Sequence, residues 1–367
     1  MPYKTPALFE SPQISIVYSY NMRMWFVCVY AFVAILVSAI GDSGLSLYVS
    51  LTALAAALLT EFLIGLKTGR HTVFDGSAAA SALILSLMLP NQISPVFTAL
   101  SVVFAIVIVK MNFGGLGANW LNPAVSGWLF LRFSWPGVFD DAISGSPLSF
   151  LVTKIANGDG HKIGSIWEIL TQNGFARTLN TITSSLNSAI FSFFKVELPS
   201  GYLDFFASPG TGIIGDRGVY ALFLGSIFIV ALGISRFFVS ALYLAVYLLL
   251  IKVAGALPTG GGICEGDIIF GLFSGGTLIT AFLLLTDPVT SPKSGYGKTF
   301  VAVAAAVFSF FFRYMKNEPY GAFFAVALLN ITVPLIRCME IRGIYEHKKQ
   351  RNTDISGRMK SEGNDEN

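Results

Sequence analysis

The sequence predicts an all-α polytopic membrane protein. About ten transmembrane helices form two inverted five-helix repeats, with an extracytoplasmic insert between the halves. Three observations lead there. Only 12% of the 367 residues are charged, against about 25% in soluble domains. Long apolar runs recur through most of the chain, giving a mean hydropathy of +0.67. Two apolar segments far apart in sequence also share one pattern.

The elements follow in order. Residues 1–23 are polar and proline-bearing. A cleavable signal would carry its apolar region earlier, behind a short basic stretch, so the run at 24–40 is expected to be a retained span. A span needs roughly 20 mainly apolar residues. Runs at 24–40, 45–66 and 95–111 are clear, while 77–90 and 123–136 are short but too apolar for loops. After a polar stretch come runs at 219–234, 237–257, 268–286, 300–315 and 320–336. The expected organisation is a cytoplasmic segment 1–23, a first repeat 24–138, a periplasmic loop 139–217, a second repeat 218–337 and a cytoplasmic tail 338–367.

The likeness between the halves lies in "FDGSAAASALILSLMLPNQISP" (74–95) and "FSGGTLITAFLLLTDPVTSP" (273–292). Both open on Phe-x-Gly, run through small and hydroxyl residues into aliphatics, and close on a proline turn. Each is the third span of its half. A repeat with an odd number of spans inserts with opposite topology, and short spans begun by glycine point to a site at mid-membrane. Unsatisfied backbone at that depth is tolerated only around protein, water or a ligand.

Orientation follows from basic residues in short loops. Lys67, Arg70, Lys110, Lys293 and Lys298 fall on the side of both termini, with Arg342, Lys348, Lys349 and Arg351 in the tail. Arg313 and Lys316 dissent.

Several chemistries are excluded. A net charge of +3 is too small to argue for nucleic acid. Cys28, Cys264 and Cys338 show neither metal spacing nor a disulfide framework, and read as small buried hydrophobes. His71, His161 and His347 offer no paired haem ligands. "SGYGKTF" imitates a phosphate loop, but the required first glycine is Pro292 and no strand precedes it. No serine–histidine–acid set stands out, so no catalytic residue and no metal ligand is assigned. Asn119 and Asn122-Pro123 precede a short apolar run, where they cap a helix or line a polar path. Thr286 and Asp287 end a span, so Asp287 is a headgroup-level residue or part of an ion path. Glu61 and Asp75 pose the same choice.

Five segments occur in an order that resembles one family: "FDGSAAASALILSLMLP", "NWLNPAVSGWLFLRFSWP", "SPGTGIIGD", "LLLTDPVTSPKSGYGK" and "EPYGAFFAVALLNITVPLI". They are similar to the D subunit of the Rnf-type ion-translocating ferredoxin:NAD oxidoreductase complex. They also resemble its relative, the B subunit of the sodium-translocating NADH:quinone oxidoreductase. Length and the short N-terminal segment lean towards the former. The resemblance implies a ten-span subunit of a bacterial inner-membrane translocase that carries flavin and couples electron transfer to Na⁺ or H⁺ movement. The implied partners are the other Rnf subunits (A, B, C, E and G), a flavin transferase and membrane lipid. It also implies FMN joined through its phosphate to a hydroxyl on the outer loop, and a second, non-covalent flavin such as riboflavin.

The family's attachment motif reads Asp-x-x-Ser/Thr-Gly-Ala-Thr, then Pro-Leu. In "DDAISGSPLSF" (140–150), Asp141 to Gly145 match its first five positions, and Ser146-Pro147-Leu148 follows one residue short. The resemblance then makes Ser146 the covalent FMN anchor. "PGTGIIGD" departs as well, with Asp216 where the family usually has glutamate. Flavin suits a chain that has no array to hold clusters or haem. Two alternatives stand beside this reading: a flavin-free structural subunit of the same complex, and a channel or secondary transporter of a small polar solute.

Overall fold

A computed structural model describes residues 19–69, 72–115, 119, 121–140, 212–259 and 261–364, with side chains to 342. Its regular elements are all helical, and the described residues contain one isolated β-bridge, Pro90 with Ile213.

Helix α1 (Tyr20–Gly41) begins at Ser19, whose hydroxyl accepts from the Met22 N–H at 3.3 Å. It ends in a tight turn at 42–44, where Gly44 takes φ 89° and starts α2 (Leu45–Thr68). Asp42 ties the turn down by accepting from Ser46 N–H at 3.1 Å and from Asn91 Nδ2 at 3.0 Å. α3 (Ser77–Leu87) is buried at ten of its eleven residues. At about 1.5 Å per residue it reaches only about half the ~30 Å of a hydrocarbon core.

Gly76, the N-cap of α3, has φ 73°, and a Cβ there would meet the Trp25 ring at 3.2 Å. That position therefore asks for glycine twice, for its left-handed backbone and for its missing side chain. α4 (Pro95–Phe104) runs on as a π-helical segment, Ala105–Met111. α5 (Pro123–Ser134) has Pro123 in its first turn and Asn122 as N-cap, an arrangement in which neither the missing proline N–H nor the first amides are wasted.

The second half opens with a short α6 (Ile214–Arg217), then α7 (Val219–Ala231) and α8 (Phe237–Ala254). The expected span 268–286 is broken into α9 (Ile268–Phe273) and α10 (Thr277–Ile279), the latter continuing as a π segment over Thr280–Leu284. The break falls at Gly275 and Gly276, both at φ 69°. α11 (Gly295–Phe310) again continues as a π segment, Phe311–Met315, and α12 is Gly321–Asn364. Ser294 caps α11 by accepting from Gly297 N–H at 3.0 Å, so "SGYGKTF" is an ordinary helix start.

Among the described residues, five helices are long and apolar enough to cross a membrane, and Ser77–Leu87, Pro95–Met111 and Val219–Ala231 are shorter apolar helices. The chain is a multi-pass helical membrane protein. α1 and α7 are joined by Tyr30, whose hydroxyl donates to the Leu222 carbonyl at 2.8 Å. α5 and α12 meet at Trp128, fully buried against the edges of Phe139, Phe323 and Phe324. Arg132 grips Glu318 with Nε–Oε1 at 3.3 Å and Nη2–Oε2 at 3.0 Å.

Two expectations change. Lys110 is 2% exposed and Arg313 5% exposed, so neither is a loop charge. Lys110 drops out of the count that set the orientation, and Arg313 no longer dissents from it. A third changes with them: Cys28 is the buried small residue expected, but Cys264 and Cys338 are exposed.

Candidate functional site

A cleft opens between the N-terminal part of α1, α3, the segment 119–123, the link between α7 and α8, and the turn after α10. It encloses a volume of about 90 Å³ and opens widely at its mouth. Met24, Val27, Ile84 and Phe282 give it apolar walls; Tyr20, Arg23, Lys110, Asn119, Asn122, Ser235, Arg236 and Asp287 add polar groups.

One polar edge is self-satisfied. Asn122 Oδ1 accepts from the N–H groups of Ala124 (3.0 Å) and Val125 (3.4 Å), while its Nδ2 donates to Asp287 Oδ2 at 3.3 Å. Asp287 also accepts from Thr290 Oγ1 at 3.0 Å and from Val289 N–H at 3.1 Å. Burial pushes the Asp287 carboxyl above the usual carboxylate range, against the pull of those donors. Asn122 is thus a cap and a cleft wall at once. Asp287 is turned inward, joining α5 to the turn after α10.

The other edge is not satisfied. The Tyr20 hydroxyl, Arg23 Nε, Asn119 Oδ1 and Ser235 Oγ are buried without a partner among the described residues, and all four residues line this cleft. A buried polar group left unpaired costs about 1–3 kcal/mol, so four on one cleft mark a place built for a polar occupant.

Behind the cleft lies a buried ion pair. Lys110, on the π segment after α4, places Nζ 2.6 Å from Glu61 Oε1 on α2, with side-chain exposures of 2% and 0%. Thr72 Oγ1 donates to the same oxygen at 2.8 Å, and Glu61 Oε2 has no partner among the described residues. π-helical turns re-aim a side chain by inserting a residue and are frequent at functional sites.

A second buried cation occupies the matching place in the other half. Arg313, on the π segment after α11, donates to Tyr247 Oη (2.9 Å), to the carbonyls of Ser274 (3.1 Å) and Gly271 (3.4 Å), and to Ser274 Oγ. Beside it, Asp216 accepts from the N–H groups of Gly275 at 3.2 Å and Gly276 at 3.1 Å. Its shorter arm reaches both amides at the start of α10, where a carboxylate also meets the positive end of the helix. Burial pushes the Asp216 carboxyl up to about 6, with the glycine amides and Arg313 pulling the other way.

α12 fixes the turn that carries Asp287. Glu340 accepts from Ser294 Oγ (2.6 Å) and from the N–H groups of Ser294 (3.1 Å) and Lys293 (3.3 Å). Arg337 donates to the carbonyls of Ser291, at 2.9 Å, and Val289.

Of the residues singled out by sequence, the structure brings Asn119, Asn122 and Asp287 to one cleft and puts Glu61 behind it. Asp75 instead accepts from Ser77 N–H (2.8 Å) at the start of α3. Ser146 lies outside the described residues. Sequence reasoning missed Tyr20, Arg23, Ser235 and the partner of Glu61. The available signal was Lys110, a single cation ending an apolar run. Among the described residues no cluster of His, Cys, Asp or Glu could hold a metal ion.

These features define a class: a multi-pass α-helical membrane protein with a broken helix and a cleft lined by buried, unpartnered polar atoms. Within that class, the chain belongs to the NQR2, RnfD, RnfE family, whose profile matches residues 8–346. It is 28% identical over 331 residues to the D subunit of the proton-translocating ferredoxin:NAD(+) oxidoreductase complex of Clostridium ljungdahlii, covering 89% of this chain and 92% of that one. It is 26% identical over 276 residues to the Na(+)-translocating counterpart of Acetobacterium woodii, covering 75% and 74%. It is 29% identical over 308 residues to the D subunit of the ion-translocating oxidoreductase complex of Alcanivorax borkumensis, covering 81% and 84%.

Proposed function

We propose that this chain is the D subunit of an ion-translocating ferredoxin:NAD oxidoreductase complex of a bacterial inner membrane, and that the cleft holds a non-covalent flavin. The observation that carries the flavin reading is the set of four unpartnered buried polar atoms facing one half-apolar cleft. An isoalloxazine has an apolar benzenoid end and a pyrimidine edge that alternates acceptors with a donor. Asn119 Oδ1 supplies an acceptor, Arg23 Nε a donor, and Tyr20 and Ser235 can be either, so the residues fit the group. When bound, flavin supplies the one- and two-electron chemistry. The chain's part is to orient it between Asn119 and Ser235, to surround it with apolar wall, and to hold the Asn122–Asp287 edge in place.

The wider reading rests on membership of the family and on the matching devices of the two halves. Ten crossings form two inverted repeats, with α3 and the α9–α10 pair as their broken third members. Both termini lie in the cytoplasm and residues 139–217 outside. Ser146 on that outer segment carries a second flavin, FMN, through a phosphodiester made by a flavin transferase. The partners are the other subunits of the complex. The coupled ion is Na⁺ or H⁺; relatives named for each are almost equally similar to this chain. A second reading, a flavin-free structural subunit, is favoured by one observation, the motif at 141–148 that is one residue short.

Two measurements test this on the assembled complex. Flavin released on denaturation should fall by one equivalent per complex in Asn119→Leu, with assembly unchanged; an unchanged yield rejects the cleft as a flavin site. A denaturing gel should show a flavin-fluorescent band for this chain that Ser146→Ala abolishes, and a dark wild-type band rejects covalent attachment.

A further inference from the structure

Lys110 is the one fully buried ammonium on the described cleft wall, and its surroundings are more particular than packing requires. An ammonium has three protons to donate. One goes to Glu61 Oε1 at 2.6 Å, no other acceptor holds the ammonium among the described residues, and Lys110 lines the cleft. Glu61 is in turn held by Thr72 at 2.8 Å through that same oxygen, while Oε2 has no partner among the described residues. The carboxylate is therefore oriented so that it fixes the lysine and offsets part of its charge. In a site screened from water such a charge acts far more strongly than at a surface.

We propose that Lys110 sets how much more tightly the cleft holds its occupant when that occupant is electron-rich, and that Glu61, positioned by Thr72, attenuates this preference. The inference rests on the flavin reading above. An isoalloxazine gains electron density on reduction, and a fixed cation beside it favours the reduced form. Removing the cation lowers the midpoint potential. Neutralising Glu61 while keeping Lys110 leaves the cation uncompensated, and the potential rises. The two substitutions thus act in opposite directions. A purely structural pair predicts otherwise, because loosening the site from either partner should disturb it in the same sense.

The test uses the assembled complex and spectroscopic redox titration of the flavin signal that Asn119→Leu removes, alongside flavin content. Lys110→Met should reduce the preference for the reduced form at least tenfold, a fall of about 30 mV for a two-electron couple. Glu61→Gln, nearly isosteric, should shift it upward by a similar factor, and Lys110→Arg should stay close to wild type. If Lys110→Met does not assemble, the sign of the Glu61→Gln shift decides. Shifts of the same sign, or none, with flavin content intact overturn this inference and leave the flavin reading standing. If Asn119→Leu removes no flavin signal, the cleft reading fails and this inference falls with it.

Discussion

The two halves of the molecule end their fourth apolar segment in the same way, with a π-helical turn that carries a buried cation, yet the two cations live differently. Arg313 spends its terminal nitrogens on Tyr247, Gly271 and Ser274. The backbone freed by the glycine break beside it is taken up by Asp216. That network is closed on itself except at Arg313 Nε, which is buried with no partner among the described residues. Lys110 has one carboxylate oxygen behind it and an open cleft in front. One device thus serves two ends: in the second half the buried charge locks a broken helix, and in the first it is left with unused donors where a ligand can reach them.

The sharpest way to break this comparison is to remove each cation. Arg313→Met leaves Tyr247 Oη and Ser274 Oγ without their arginine donor, the Gly271 and Ser274 carbonyls with Thr277 Oγ1 alone, and Asp216 without the neighbouring positive charge. Removing one member of a buried charged network costs on the order of 3–5 kcal/mol, so the melting temperature in detergent should drop sharply and complex assembly should fail. Lys110→Met should cost less, because it removes one hydrogen bond against four, the methionine fills the same space, and the buried Glu61 it strands can take up a proton instead of staying charged. Equal losses of stability would show that the first-half pair is architectural as well.

The two helix starts give the next largest effect. Gly276 and Gly76 both take left-handed backbone, at φ 69° and 73°. An alanine Cβ would stand 2.3 Å from the Phe323 ring at the first and 3.2 Å from the Trp25 ring at the second. Phe323 is wholly buried, whereas Trp25 is 48% exposed and can move aside. The left-handed strain, about 1–2 kcal/mol, is common to both, while overpacking of about 1–3 kcal/mol falls on Gly276→Ala. Thermal unfolding of the two variants should rank them in that order, and the reverse order would deny the second half its tighter lock.

How much of this is legible in the sequence depends on the range of the interaction. Helices with a strong local signature are legible: runs of apolar residues, Pro123 behind Asn122, and glycines opening the short segments. The cleft is half legible. Asn119, Asn122 and Asp287 stand out as polar groups at the ends of apolar runs, but sequence does not separate capping from lining, since Asn122 does both. The buried pair is not legible, because Glu61 and Lys110 are 49 residues apart and meet only once α2 and α4 pack. A cation at the end of an apolar run looks the same whether its helix stops at the headgroups or turns its last residues inward through a π segment. For that reason sequence alone makes loop charges of both Lys110 and Arg313. The unpartnered Tyr20, Arg23 and Ser235 have no local mark at all.

The Asp216 lock should also show itself in the pH dependence of stability. Its carboxyl is raised from 3.8 to about 6 by burial, so the folded chain holds that proton over a range in which the unfolded chain has lost it. The contribution of a group shifted upward is complete below about pH 4 and is lost as pH rises through about 6. A rise of that size corresponds to up to about 3 kcal/mol, and Asp216→Asn, which imitates the protonated acid, removes the dependence. Wild type should therefore lose melting temperature relative to Asp216→Asn between pH 4 and 7. Parallel curves would mean that the Gly275 and Gly276 amides hold the carboxylate ionised throughout.

The smallest effect concerns how the halves are tied. Arg132 at the end of α5 and Glu318 before α12 make a two-bond ion pair with side-chain exposures of 18% and 19%, so water reaches both partners and little desolvation is at stake. Arg132 also lies over the Phe139 ring at 5.8 Å, a contact that adds packing to the charge. A partly exposed pair of this kind is worth about 0.2–1 kcal/mol. Arg132→Ala and Glu318→Ala should each lower the melting temperature slightly, and a double-mutant cycle should return a coupling within that range. A coupling several times larger would make this pair a strong lock between the halves, beside the Arg313 network inside the second half, and the contrast between a closed second half and an open first half would have to be redrawn around it.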